Sequence, residues 1–327
     1  MLALGTPAAS AQYAAAGSEN FRDNSPVEIA AGRLQPYFLK NLPLIRDWTT
    51  IYPTVPALPN GASFAPSRDI GRQSLLEAQI VEQLHGSNNG AVVLGGGDYA
   101  IPVRMYCTDV LRRARAPQTY VLGPLRGTRA FVLTALYANA AAAAPPFETL
   151  QTLSWSLQEG LKYGELPHAQ RAVFDQLLPG WRAQIASSFV DLMSERWNIA
   201  SRGIAGAPPF DEALPQMGEM GRIIASAESA RRMIFGYETD FDSLRAALVP
   251  GGIDAGIAEE ATPWSVPAPN VFERLLAHGA MGSVAVLEIH VDGTARSVVP
   301  LTSNIAYAQQ CTDCQPLTMH PVKPAIR

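Results

Sequence analysis

Apolar residues repeat at helical spacing through the middle of the chain, over residues 126–202, and this pattern limits the possible folds most strongly. Within it, leucines recur every three or four positions, at Leu150, Leu153, Leu157 and Leu161. Pro145–Pro146 and Pro179–Gly180 interrupt the pattern, as expected where one helix ends and the next begins. Because the connections are short, neighbouring helices should run antiparallel, which predicts a bundle.

Two segments outside this block carry β-forming residues on both sides of a glycine turn. Residues 91–107 contain two β-rich runs around Gly95–Asp98, and residues 285–301 contain two more around Asp292–Gly293. Each arrangement is typical of a β-hairpin. The sequence therefore predicts an α+β fold, with a central antiparallel helical bundle flanked by two β-hairpins that can share a small sheet.

Composition divides the chain into four segments. They are a candidate signal-peptide remnant at 1–11, an extended Pro-rich arm at 12–70, a hairpin plus helical block at 71–202, and a helical segment with the C-terminal β-hairpin at 203–327. The arm contains aromatic residues and one short helical pattern, so we expect it to lie across a surface of its own chain or of another. In the last segment, Asn270 is expected to cap a helix that runs to Ala277.

The first residues resemble the back half of a secretory leader. A short apolar run precedes Ala9-Ser10-Ala11, which fits the A-x-A pattern cleaved by signal peptidase. A disordered Ala-rich terminus is the alternative interpretation. We expect export, which would place the protein in the periplasm, at the cell surface or in the medium.

The charge balance argues against a nucleic-acid partner. Lys and Arg number 25 against 29 Asp and Glu, for a net charge of −4. The densest basic segment, Arg112 to Arg115, is too short to follow a phosphate backbone. No uninterrupted apolar run reaches the roughly 18 residues that span a bilayer, so no transmembrane segment is predicted.

The three cysteines are Cys107, Cys311 and Cys314. In an exported protein Cys311 and Cys314 can close a small disulfide loop, or either can pair with Cys107. Free thiols and a metal site are the alternatives. His320 would add one ligand to the Cys-x-x-Cys pair, which leaves fewer than the four that zinc requires. We therefore list the three cysteines as candidates for a disulfide bond.

Other motifs point to structure and not to chemistry. The glycines of Gly95–Asp98 are followed by a β-rich run, whereas a phosphate-binding turn leads into a helix. A nucleophilic site made of Cys107 and His290 has no supporting pattern, and His290 beside Glu288 is predicted to form a surface pair. Carboxylates that a glycosidase would need in pairs are interpreted as solvated: Glu77, Glu82, Glu259 and Glu260. Tryptophans in the helical block are interpreted as packing residues: Trp155, Trp181 and Trp197. No catalytic, cofactor-binding or metal-binding residue is predicted.

These features favour an exported, non-enzymatic interaction or structural module, part of a cell-surface or secretion assembly. A protein partner or self-association through the N-terminal arm is expected. The alternative is an extracytoplasmic hydrolase that acts on an envelope polymer, and a third hypothesis is a small-ligand binding protein. A deep pocket that holds perturbed carboxylates, His or Cys would favour the hydrolase.

Overall fold

The computed structural model describes residues 25–45, 51–108, 120–236, 241–248, 261–276, 284–308 and 317–322. Helices and strands are both abundant in these residues, so the predicted α+β class is confirmed. In the same part of the chain, no helix is both long enough and apolar enough to cross a membrane. The predicted segment boundaries stay predictions.

The described helices follow the predicted helical block and extend beyond it. Their bounds are α1 Pro26–Asn41, α2 Ile70–Leu84, α3 Ala130–Ala143, α4 Phe147–Gln158, α5 His168–Leu177, α6 Phe189–Ala200, α7 Phe210–Ala213, α8 Gly218–Gly236 and α9 Phe241–Leu248. Short 3₁₀ turns lie at Pro59–Gly61, Tyr163–Glu165, Arg182–Ile185 and Leu214–Gln216. The proline breaks at residues 145–146 and 179 separate helices as predicted.

The described strands are β1 Thr54–Val55, β2 Ala91–Leu94, β3 Gly97–Cys107, β4 Tyr120–Pro124, β5 Trp264–Ala268, β6 Val271–Leu276, β7 Val284–Val291, β8 Ser297–Pro300, β9 Asn304–Ala308 and β10 Leu317–Pro321. Eight of them form an antiparallel sheet in the order β1-β5-β6-β7-β3-β10-β9-β4. The sheet curls so that its two edge strands approach each other. The backbone N–H of Tyr52, just before β1, donates to Leu122 O of the opposite edge strand β4 at 2.9 Å. The two edges of the sheet therefore meet.

The two predicted hairpins are wrong in their pairing. β2 does not pair with β3, and β7 does not pair with β8; instead β2 pairs with β8 in a separate two-stranded sheet, and β3 pairs with β7. Glycine turns marked the right places for the chain to change direction. They did not determine which strand would provide the hydrogen-bonding partner. Each of the two segments instead contributes one strand to each of the two sheets.

A central helical bundle is not what the described helices form. α3 and α4 pack against strands β10 and β3 of the curled sheet, in one large hydrophobic core that also includes α2 and α5. A second, smaller core joins α1 to α6, α7 and α8. Hydrophobic repeats located the helices correctly, but a stripe of leucines packs equally well on a sheet or on another helix.

The segment predicted as an arm contains α1, which packs within its own chain. Ser25 caps this helix, and its side chain and that of Glu28 satisfy each other's backbone N–H groups. The buried face of α1 lies on α6: Val27, Ala30, Leu34 and Phe38. The C-terminal end of α1 consequently has a fixed position, which matters for the site described below.

The helix predicted from Asn270 to Ala277 is wrong, because residues 271–276 form strand β6. Asn270 adopts a left-handed conformation with a φ of 61° in the turn between β5 and β6. Asparagine tolerates that conformation better than most residues, which suits it to a tight turn as well as to a helix cap. Alternate residues of β6 are buried: Val271, Glu273 and Leu275.

Candidate functional site

A pocket of about 190 Å³ lies where the end of α1, the turn before α3 and the segment before α6 meet. It is lined by Asn41, Pro43, Thr128, Arg129, Ala183, Gln184, Ala186, Ser187, Phe189 and Leu192. Both polar and apolar residues contribute to this lining. We refer to it as the Arg129 pocket.

Tight backbone contacts build one wall of the Arg129 pocket. Gly127 has a φ of +124°, and a Cβ atom on it would lie 2.4 Å from the carbonyl oxygen of Pro43, so glycine is required there. The next two residues are tied to the chain after α1. The N–H of Thr128 donates to Leu42 O at 2.9 Å, and that of Arg129 donates to Pro43 O at 2.8 Å.

Carbonyl groups hold the Arg129 side chain, which is 6% exposed. Its Nη1 donates to Gln184 O at 2.6 Å, and its Nη2 donates to Ser187 O at 2.6 Å and to Leu161 O at 3.4 Å. A side chain with three such bonds has one orientation. The guanidinium is therefore a fixed, positively charged part of the pocket.

The charge of Arg129 is only remotely compensated. Burial lowers its pKa to about 10, and the carboxylate of Glu165 raises it in part. Glu165 itself is engaged by Arg231, whose Nη2 lies 2.5 Å from Oε1, and by the backbone N–H of Lys162. Within the part of the chain that the structure describes, Arg129 forms no ion pair with a carboxylate. Arg129 is therefore protonated and positively charged at neutral pH.

The predicted disulfide bond is wrong. Cys107, at the end of β3, is a buried thiol, 2% exposed, and it is not near disulfide distance of another cysteine. The amide of Gln151 holds its backbone on both sides: Cys107 N–H donates to Oε1 at 3.0 Å, and Nε2 donates to Cys107 O at 3.0 Å. The residue serves the packing of β3 against α4. Cys311 and Cys314 lie outside the described residues.

His290 forms a pair, but not with Glu288. Its Nδ1 lies 2.7 Å from Asp98 Oδ1, directly across β7 and β3, while Glu288 pairs with Arg274. The backbone N–H of Ala65 donates to the other Asp98 oxygen at 2.8 Å. Nε2 of His290 is buried and has no hydrogen-bond partner among the described residues. Cys107 is not brought to this histidine in a site; the two side chains lie on different faces of the sheet.

The interior of the curled sheet contains a polar cluster that the sequence did not reveal. Glu273 is 0% exposed, and its Oε2 accepts a hydrogen bond from Asn304 Nδ2 at 2.8 Å. The hydroxyl of Tyr52 donates to Asn304 Oδ1 at 2.9 Å. Burial raises the pKa of Glu273 well above its usual range. A buried Glu on the apolar face of an alternating strand was the available signal, but the strand had been predicted as a helix.

His320 lies in a buried aromatic cluster. Its Nδ1 donates to Pro321 O at 2.7 Å, and its Nε2 accepts from the hydroxyl of Tyr106 at 2.9 Å. Burial lowers the pKa of His320 to about 4, so the ring is neutral. The described residues contain no cluster of three His, Cys, Asp or Glu side chains placed to hold a metal ion.

The remaining candidate residues take structural positions. Trp155 and Trp197 are fully buried, as expected of packing residues, and the partly buried Trp181 packs beside Phe131 with ring centroids 4.7 Å apart. Glu77 is buried and bonded to Gln73, contrary to the solvated role predicted for it. Glu82 is exposed, and Glu259 and Glu260 lie outside the described residues.

No family model matches this sequence, and no curated protein or solved structure matches it either.

Proposed function

We propose that this protein is a non-enzymatic interaction module that anchors a protein partner, or a second copy of itself, at the Arg129 pocket. The titratable group among the lining residues of this pocket is Arg129. With a pKa of about 10 it stays protonated at neutral pH, so it attracts and holds a ligand but does not exchange a proton with it. This observation carries the proposal.

The size of the pocket supports the same function. Its volume of about 190 Å³ is below the roughly 300–1,000 Å³ typical of small-molecule sites. A space of this size suits one side chain of a partner, held by a rigid donor at the base and by small residues at the rim. Ala183 and Ala186 at the rim are exposed.

The proposed contact also involves the segment predicted as an arm. Asn41 and Pro43 belong to that segment and form part of the pocket wall. A partner seated in the pocket would therefore touch this segment at the C-terminal end of α1. We further propose that this contact is made outside the cytoplasm, as part of a cell-surface or secretion assembly, because Ala9-Ser10-Ala11 fits the cleavage pattern of exported proteins.

A photo-crosslinking amino acid at Ala186 tests the proposed contact in the natural host. The matched control is Ala205, an exposed alanine in the turn after α6 and outside the pocket. We expect one defined crosslinked species from position 186, identifiable by mass spectrometry, and none from position 205. Equal labelling at both positions, or no product at 186, would contradict the proposal.

The Asp98–His290 pair supports a second candidate function, hydrolysis of an envelope polymer. Asp98 fixes the orientation of the imidazole, and Nε2, which is buried and has no hydrogen-bond partner among the described residues, is the atom that would act as the general base. The decisive comparison is the release of soluble fragments from purified envelope polymer by the wild-type protein and by the His290→Gln variant. Release that depends on His290 would displace the interaction module in favour of a hydrolase.

A further inference from the structure

We infer that the group bound in the Arg129 pocket is a carboxylate. This inference rests on the proposed function only in taking the same pocket as the anchor, and it names the chemistry of the occupant. An acidic side chain and a chain terminus present this same group, and the experiment below separates the two sources.

The charge of Arg129 is compensated only in part, by the carboxylate of Glu165. Arg129 is 6% exposed, and its side chain donates hydrogen bonds to three neutral carbonyl groups. Buried charges in proteins are normally paired with an opposite charge, since desolvation is costly. A carboxylate in the pocket would provide the missing partner.

The guanidinium of Arg129 also has N–H groups that form no hydrogen bond with the described residues. Arginine has five N–H groups. Three hydrogen bonds are formed, one from Nη1 and two from Nη2, so Nε–H and the second Nη1–H have no acceptor among the described residues. A carboxylate has two oxygens, and charge-assisted bonds from arginine to such oxygens are among the strongest in proteins.

The N-terminal ends of two helices add partial positive charge near the pocket. α3 begins directly after Arg129, and α6 begins at Phe189, which also lines the pocket. The N-terminal ends of two helices of 14 and 12 residues therefore lie at the pocket, and each has a partial positive charge. The partial charges of both helix ends favour an anion over a neutral or cationic group.

Nearby acidic side chains are held elsewhere. Asp191 is in the first turn of α6. Its Oδ2 lies 2.5 Å from Lys162 Nζ, and its Oδ1 lies 3.7 Å from Arg231 Nη1. Glu165 lies 2.5 Å from Arg231 and 3.6 Å from Lys162. These four residues compensate one another outside the set that lines the pocket. The positive charge of Arg129, which Glu165 compensates only in part, can therefore interact with an incoming ligand.

Acetate and acetamide test the inference on the unmodified full chain, because they have nearly the same shape and differ in charge. We expect acetate to shift the NMR signal of Arg129 Nε–H in a saturable way and to raise the melting temperature, and acetamide to do neither. N-acetylglutamate α-amide and N-acetylalanine then separate the sources, since the first has a side-chain carboxylate and the second a terminal one. Equal responses to acetate and acetamide would overturn the inference.

Two variants localise the binding. Arg129→Lys keeps the charge but not the forked donors, and it should weaken acetate binding at least about tenfold. Ala186→Asp places a tethered carboxylate at the rim and should abolish acetate binding while the circular dichroism spectrum stays unchanged; Ala205→Asp is the matched control. If Ala186→Asp binds acetate like the wild type, the site is wrong even should Arg129→Lys fail to fold.

The two proposals fail separately. A crosslink at position 186 without any acetate response would overturn the carboxylate and retain the interaction module. An acetate response at Arg129 without a crosslinked partner would retain the carboxylate site and overturn the proposed function.

Discussion

Gly96 lies directly against the carbonyl group of Gly293: a Cβ atom on Gly96 would be 1.7 Å from that oxygen. These glycines occupy the turns between β2 and β3 and between β7 and β8. β2 pairs with β8, and β3 pairs with β7. The two turns therefore meet at the point where both segments of the chain pass from one sheet to the other. The two segments can approach this closely only because residue 96 is a glycine and has no side chain.

The Gly96→Ala variant should be destabilised by on the order of 3 kcal/mol, because the added methyl group meets backbone that has no room to retreat. Gly95→Ala is the matched control, since the nearest atom to its Cβ would be the hydroxyl of Tyr99 at 3.9 Å, an ordinary contact. Urea denaturation of both variants measures the difference. Equal stability of the two variants would show that this close approach is not fixed.

The buried carboxyl of Glu273 should make the protein less stable as the pH rises. Its pKa is raised in the folded state, so the native protein holds a proton that the unfolded chain has released. The contribution is fully present below the unfolded pKa of about 4.3, and it is lost as pH rises towards the folded pKa, by up to about 1.4 kcal/mol per pH unit. Chemical denaturation over a pH series measures this slope.

Glu273→Gln removes the titrating group and keeps an acceptor for Asn304 Nδ2. We expect the variant to be more stable than the wild type at neutral pH and to lose the descending slope. Glu82→Gln, at an exposed position on α2, should keep that slope. A wild-type slope that survives in Glu273→Gln would place its origin in another group.

His320 should have the opposite pH dependence. Its pKa is lowered to about 4 by burial, so the unfolded chain binds a proton more readily than the native one. The stability from this group is present above about pH 6.5, the usual value for histidine, and is lost as the pH falls towards 4. Tyr106→Phe leaves Nε2 of His320 without its donor and should cost about 1–3 kcal/mol at neutral pH. If the imidazole of His320 titrated near pH 6.5 in an NMR experiment on the folded protein, the lowered pKa would be wrong.

Local patterns in the sequence predicted the helices better than the strands. The leucine repeat located α4, Pro145–Pro146 marked the boundary before it, and Pro179–Gly180 marked the end of α5. For β2, β3, β7 and β8 the strands were located, but their pairing depends on contacts between segments about 200 residues apart, as between Val92 and Val299. Turn chemistry is local and contains no information on such partners.

The candidate site was not predictable for the same reason. Arg129 has no distinctive neighbours in sequence, and its acceptors, Leu161, Gln184 and Ser187, are 32 to 58 positions away. The Gly127 turn that positions it is required by a close approach to Pro43, which the sequence does not show. Cys107 was expected to form a disulfide because of compartment arguments, whereas its burial beside Gln151 is a consequence of tertiary packing.

The helices of the large hydrophobic core should provide a large part of the stability. Leu153 on α4 is 0% exposed and Leu177 on α5 is 3% exposed, so Leu153→Ala and Leu177→Ala each remove buried volume and should cost about 2–5 kcal/mol. Leu75 on α2 is 61% exposed, which makes Leu75→Ala the matched control, with an expected cost of about 0.5 kcal/mol or less. Denaturation curves of the three variants test burial directly. A cost for Leu75→Ala equal to the other two would mean that this surface is covered in solution, which light scattering on the wild-type protein would then reveal as self-association.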